Sequence, residues 1–404
     1  MYSIQYPYTP HTTNAGISLY QGPMAISQRR GGPAQNGPGR IHVVWLPSPH
    51  IEFEIEIGGG SLGADIGQTV YLAWGNNTSK AQVFQRGHQS SQGGYVLTLG
   101  GVLLPPAKSG VRPSRLLSFG VVNFPRWPTR QGVHFSLGDW QIDLAPSGNS
   151  SAIYSQLRAN GGFCITHVGW ARRSTAQRAS AGEVVQLLDE LHLLFSLARG
   201  SWACPFLPVS FSRTGSQIWQ EWALRNVDRW KGDISWFPTY HPDALISAAA
   251  GLHSRLADAV WSEPLRVAIH LYMESNVHGL TNQSSLILGQ AALELLSWIY
   301  FVEDQKQFTA KQFDQLSAAD RIRNLLTAAK VRTGVPRHLG SLVSSGSSLA
   351  PSGSWADGPM QLLSFETPSY ILKGCQVFSP YLVGQPYRHG NSRFGIWNVL
   401  FYGC

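Results

Sequence analysis

Residues 286–302, LILGQAALELLSWIYFV, constrain this chain more than any other stretch. The large apolar side chains Leu288, Leu295, Leu296, Ile299 and Val302, with small Ala292 between them, recur near the 3.6-residue helical period. A helix apolar on nearly every face has to be covered by other helices, so the spacing predicts the central helix of a bundle. Gln290, Glu294 and Ser297 interrupt it too often for a good membrane span. Glu294 is its one charge. Buried, that carboxylate needs a partner or a chemical role; at the bundle edge it simply reaches solvent.

Upstream the pattern is one of strands. Ile51, Phe53, Ile55 and Ile57 alternate with Glu52, Glu54 and Glu56, giving one buried and one wet face. Short apolar runs follow at 69–74, 95–104, 116–124 and 140–144, separated by Gly, Pro, Ser and Asn, as in an antiparallel sandwich or barrel-like sheet. Residues 1–40 are rich in Gly, Pro, Ser, Gln and Asn without any period and read as a disordered leader. The glycines of 58–63 follow a strand but precede no Lys-Ser/Thr, so they read as a turn rather than a phosphate loop. The sequon at Asn149 reads as a chance match.

Ser180 and Glu183 have the spacing of a capping box. Behind them Val184, Leu187, Leu188, Leu191, Leu194, Phe195 and Ala198 define one helical face that Gly200 terminates. That helix is expected to close one side of the sheet. Residues 201–241 carry Trp202, Trp219, Trp222, Trp230 and Trp236 among Arg225, Arg229 and Lys231. They either stack single-stranded nucleic acid or pack a connecting segment, and packing is the commoner use of such aromatics. Helices then dominate, at about 243–258, 263–276, 284–303 and 317–331, with a Ser/Gly-rich loop over 341–359. The fold class is therefore α+β: an N-terminal antiparallel β-rich domain with a capping helix (41–200), a Trp-rich connector (201–241) and an all-α C-terminal bundle (242–359).

A net charge of +8 and a pI near 9.4 are compatible with a polyanion such as RNA, although the basic residues are spread out. Four cysteines without metal or disulfide spacing, no signal peptide and no run of about twenty apolar residues point to a cytoplasmic protein with no membrane partner. No zinc, Walker or nucleophile-elbow signature occurs, and His167, His270 and His278 lack neighbours at ligand spacing, so no metal or cofactor is expected.

The tracts ITHVG (165–169) and LARG (197–200), the Trp-rich connector and QAALELLSW (290–298) resemble bacterial ApeA-like proteins, in which a β-rich domain precedes a HEPN domain. The resemblance implies a defence- or stress-linked ribonuclease. Its helix-borne Arg-x4–6-His motifs meet across a homodimer, with His as general acid or base and Arg stabilising phosphate charge, independently of metal. This sequence departs from that pattern. Its nearest match, Arg332 to His338, runs through Gly334 and Pro336 and reads as a turn. After Pro359 the text is SFETPSYILKGCQVFSP, where the motif helix belongs. Back-translated and read one base earlier, residues 365–374 permit Phe-Arg-Asn-Ala-Leu-Val-His-Pro-Lys-Arg, and 393–397 permit an amphipathic continuation. Residues 360–404 are therefore read as an out-of-frame tail, against the alternative of a genuine irregular one.

The expected function is a HEPN-type RNA-cleaving or RNA-binding defence protein, inactive as written, with Glu294, and behind it Glu274 and Asn276, as supporting site residues. The alternative is a non-catalytic module whose β domain binds an unknown ligand and whose helical half forms a homodimer. Loss of the last helix is expected to expose Leu288 and Ile299.

Overall fold

The computed structural model describes residues 5–8, 12–58, 64–91, 94–104, 107–110, 112–127, 132–175, 177–212, 214–230, 232, 243–276 and 281–331. The chain divides into two compact units, 1–249 and 250–404.

The first unit opens with a closed antiparallel barrel. Its strands are β1 (Ile17–Ser27), β2 (Ala34–Val44), β3 (His50–Gly58), β4 (Thr69–Trp74), β5 (Asn77–Ser91) and β6 (Gly94–Leu103), in the order β1-β2-β3-β6-β5-β4, with β1 and β4 paired to complete the ring. The alternation in β3 sends Ile51, Phe53, Ile55 and Ile57 inward, where they meet Met24, Ile26, Ile41, Val43, Val70, Leu72 and Leu99, all buried. The interior is a packed core, as expected of a small barrel.

β1 and most of β2 occupy the stretch that its composition assigns to a disordered leader, and that expectation is corrected here. The glycines that suggest disorder serve closure instead. A Cβ on Gly37 would collide with the Glu56 carbonyl, and one on Gly39 with the Glu54 carbonyl and the Met24 sulfur. Glycine marks the places where β2 lies too close to its neighbours for a side chain. Gly37→Ala should therefore destabilise the protein by about 1–3 kcal/mol, the usual cost of overpacking a tight site, measurable as a lowered urea midpoint. A neutral result would mean β2 is not held this close to β3.

The second sheet has the order β7-β13-β12-β8-β11-β10-β9. In chain order these strands are β7 (Ala107–Gly110), β8 (Leu116–Val122), β9 (Val133–Leu137), β10 (Trp140–Pro146), β11 (Ile165–Arg173), β12 (Cys204–Phe211) and β13 (Gln217–Trp222). Two helices accompany it, α1 (Ser150–Asn160) and α2 (Ala181–Arg199). Asn149 of the sequon caps α1, accepting from the Ala152 amide, and Ile153, Tyr154 and Leu157 bury its inner face. α2 carries the expected capping box, and Gly200 ends it in the left-handed conformation at φ 78°.

Residues 204–222, expected as connector, are instead strands β12 and β13 of this sheet. β12 is buried along its whole length, and its pattern reads CPFLPVSF rather than alternating for that reason. Trp202, Trp219, Trp222 and Trp230 are all buried, in keeping with the packing reading; Trp236 lies outside the described residues. Trp222 stacks on Trp74 of the barrel at 5.3 Å, and Trp45 stacks on Phe163 at 5.8 Å and packs on Phe206 at 5.1 Å. Barrel and sheet thus share one apolar core.

α3 (Asp243–Ala257) runs across the division between the units. The second unit contains α4 (Ser262–Ser275), α5 (Asn282–Trp298), a π-helical continuation at Ile299–Asp304, α6 (Ala310–Asp314) and α7 (Ala318–Ala328), close to the spans expected from periodicity. Asp304 closes the π-helical turn by accepting from the Trp261 indole at 3.0 Å and from Arg255 at 3.3 Å. By length and composition alone the continuous helix 282–304 is long and apolar enough to cross a membrane. Its polar groups find protein partners, however, as in a bundle helix: Ser297 donates to the Arg321 carbonyl at 2.7 Å, and Glu294 pairs with Arg321. Ile299 is buried and Leu288 half-buried, so the expected exposure of Ile299 is corrected: it continues the buried face of Ala292 and Leu296. The tail at 360–404, the Arg332–His338 segment and the glycines 59–63 lie outside the described residues.

Candidate functional site

Three groups of polar side chains merit comparison. The first contains Glu294. Its carboxylate accepts from Gln290 Nε2 at 2.7 Å and from Arg321 Nη1 at 3.3 Å. The Arg321 guanidinium lies over the Phe313 ring at 4.8 Å and donates to the Phe313 and Asp314 carbonyls, each at 3.2 Å. Side-chain exposures of 12% for Glu294 and 9% for Arg321 make this a desolvated ion pair with its remaining donors satisfied. Glu294 is therefore neither at a solvent-facing edge nor an isolated charge; it ties α5 to α7. Asn276 ends α4, its side chain donating to the Tyr272 carbonyl at 3.1 Å and its amide to the Met273 and Glu274 carbonyls. Glu274 is half-buried in the same last turn. Glu294 thus holds two helices together, while Asn276 and Glu274 belong to one helix end.

The second group is buried in the sheet of the first unit. His167 is fully enclosed between Phe124 and Trp127, with ring centroids 5.4 and 4.8 Å away, and its Nδ1 lies 3.2 Å from Thr166 Oγ1. Burial pulls its pKa down to about 3. The imidazole is therefore neutral in the folded protein at neutral pH. His192, bonded to the Asn226 carbonyl at 2.9 Å, is drawn down to about 4 by burial. Burial pushes the Cys164 and Cys204 thiols up to about 12, away from the thiolate that nucleophilic chemistry needs.

His167 makes the fold sensitive to acid. Its folded pKa lies below the ordinary unfolded value of about 6.5, so the unfolded chain binds the extra proton. Stability from this group is complete above about pH 6.5 and falls as pH drops from there towards 3. Between pH 6.5 and 5 the loss is about 2 kcal/mol, and a His167→Phe variant should lose that part of the slope in urea titrations at the two pH values. An unchanged slope in the variant would contradict the buried neutral imidazole.

The third group lies on the outer wall of the barrel, where β2 and β3 pair in register: His42 opposite Glu52 and Arg40 opposite Glu54. Arg40 grips Glu54 with two hydrogen bonds of 2.9 Å. Glu52 lies between two imidazoles, 2.6 Å from His50 Nε2 and 3.6 Å from His42 Nε2. His42 Nδ1 is buried without a hydrogen-bond partner. The sequence reading treats Glu52, Glu54 and Glu56 only as a wet face. The available signal is the matching two-residue spacing of Arg40 and His42, which a paired neighbouring strand turns into cross-strand ion pairs. Among the described residues no group of three or more His, Cys, Asp or Glu side chains is arranged to hold a metal ion.

A closed barrel fused to an open antiparallel sheet, with a separate helical unit, is the class of protein these elements define. Within it, residues 116–233, from β8 through the segment after β13, match the family model of the YopA central domain. Residues 258–366 match that of the YopA C-terminal domain. The chain is similar to the SPbeta prophage-derived uncharacterized protein YopA of Bacillus subtilis (strain 168), 26% identical over 235 residues. That alignment covers 55% of this chain and 53% of the relative, so the similarity spans about half the relative's length. No solved structure matches. The β-rich half and helical half implied by the ApeA-like resemblance are present, and the likeness found is to YopA domains, in the order central then C-terminal.

Proposed function

We propose that this chain is a cytoplasmic, non-catalytic recognition protein. Its β-rich unit binds a partner through the outer wall of β2 and β3, and its helical unit forms a homodimer. The observation carrying this reading is the pre-organised polar strip on that wall: cross-strand pairing sets Arg40 on Glu54 and His42 opposite Glu52, and His50 holds Glu52 from within β3. The barrel interior is filled, so recognition falls to its exterior. The YopA relative is prophage-derived, which supports a phage-linked setting.

The competing reading, a HEPN-type ribonuclease with Glu294 beside its site, is separated by a direct assay. A chain whose codons after residue 359 are read one base earlier, the form in which the ribonuclease reading expects activity, is incubated with labelled single-stranded RNA, with and without Glu294→Gln. The recognition reading expects intact RNA in both reactions. RNA cleavage that the Glu294→Gln variant abolishes would overturn it.

A further inference from the structure

The charges of the barrel are divided between opposite walls. Between residues 12 and 104 the acids are Glu52, Glu54, Glu56 and Asp65, and the Lys/Arg cations are Arg29, Arg30, Arg40, Lys80 and Arg86. Arg40 pairs with Glu54 at 2.8 Å and Arg86 with Asp65 at 3.0 Å. Among the described residues Arg29, Arg30 and Lys80 have no acidic partner.

Spread along the sequence, these three cations are gathered by strand pairing. Ser27 of β1 lies opposite Tyr71 of β4, and Tyr71 lies opposite Lys80 of β5. With neighbouring strands about 4.8 Å apart, the three backbones span about 10 Å. Arg29 and Arg30 follow Ser27 at the exposed tip between β1 and β2. The Arg29 carbonyl there accepts from the Ser27 hydroxyl at 2.9 Å and from the Gly32 amide at 3.0 Å, which fixes the tip. Glu52, Glu54 and Glu56 all belong to β3, and β1 and β6 separate the β2–β3 wall from the β4–β5 wall around the ring.

The same wall carries aromatic and apolar side chains in water. In β5 Ala81 and Val83 are buried while Lys80 is exposed and Phe84 is 53% exposed. In β4 Tyr71 is half-buried between the fully buried Val70 and Leu72. The Gly67 amide donates to the Val83 carbonyl at 2.8 Å, so Ile66, 65% exposed, and Phe84 each adjoin that bond. Ile66 and Phe84 are the two most exposed large hydrophobics among the described residues. Neither packing nor ion pairing within the chain accounts for this combination.

We propose that the β4–β5 wall, with the Arg29–Arg30 tip, binds single-stranded nucleic acid. The three cations meet backbone phosphates, and Phe84 and Tyr71 present rings on which unstacked bases stack. An acidic peptide would satisfy the cations but would give Phe84 no base to stack. The inference stands apart from recognition through β2 and β3, because the two walls lie on opposite sides of the ring.

The test is fluorescence anisotropy of a labelled oligouridylate titrated with the full chain at several salt concentrations. Three phosphate contacts on a single strand predict a slope of about −2 in log affinity against log salt. The triple variant Arg29→Gln, Arg30→Gln, Lys80→Gln should lose at least about ten-fold in affinity and flatten that slope. Phe84→Ala should lose about ten-fold with the slope unchanged, since it removes stacking and no charge. All four side chains are exposed, so the variants should melt with the parent. Arg40→Gln, on the opposite wall, should leave binding unchanged, and duplex RNA should bind at least about ten-fold more weakly. No binding, binding that the triple variant or Phe84→Ala leaves intact, equal binding of the duplex, or competition by poly-glutamate at the concentrations of the oligouridylate would overturn the proposal.

Discussion

Arg321→Ala is expected to destabilise the helical unit by about 3–5 kcal/mol. The substitution removes the counter-ion of Glu294 and leaves that carboxylate mostly buried. It also abandons the Phe313 and Asp314 carbonyls that the guanidinium serves and removes the cation–π contact with Phe313. Urea unfolding followed by circular dichroism should show the loss. Because most of it comes from stranding one charge, the double variant Arg321→Met with Glu294→Leu should recover most of the stability. Equal losses in the single and double variants would show that packing rather than charge dominates there.

Trp45→Ala is expected to cost about 3–5 kcal/mol in the first unit. Trp45 is 2% exposed; it stacks on Phe163, packs against Phe206 and donates its indole N–H to the Ala15 carbonyl at 2.7 Å. Its removal opens a cavity where barrel and sheet share their core. A two-state transition shifted as a whole is therefore expected, without a separate melting step for the barrel. Two resolved transitions would mean that the barrel and the second sheet unfold independently.

Much of the secondary structure is legible in local pattern. The alternation at 51–57 marks β3 because one face is wet, and Ser180, Glu183 and Gly200 mark both ends of α2 because helix termini need partners for their orphan groups. What escapes is what depends on partners far along the chain. β1 and β2 look like a polar leader because Gly37 and Gly39 answer to the backbone of β3. β12 and β13 look like a connector because strands buried on both faces lose their alternation, and because Trp222 of β13 packs within the shared core.

The candidate site shows the same limit. The need of Glu294 for a partner is readable, but its partner sits 27 residues on, in a helix whose charges read equally well as a solvent face. Arg40 and His42 acquire meaning only once β2 is set beside β3. Arg30 and Lys80 lie far apart in the chain, and only the pairing of β4 with both β1 and β5 brings them to one wall.

The central claim, recognition rather than RNA cleavage, is tested most directly on a chain whose codons beyond residue 359 are read one base earlier, the frame in which the ribonuclease reading expects its motif. That chain, and the same chain with the arginine or histidine of its Arg-Asn-Ala-Leu-Val-His segment replaced by alanine, would be incubated with labelled single-stranded RNA. The account predicts intact RNA in every reaction. Cleavage by the re-framed chain that either replacement abolishes would contradict it and make the helical unit a ribonuclease.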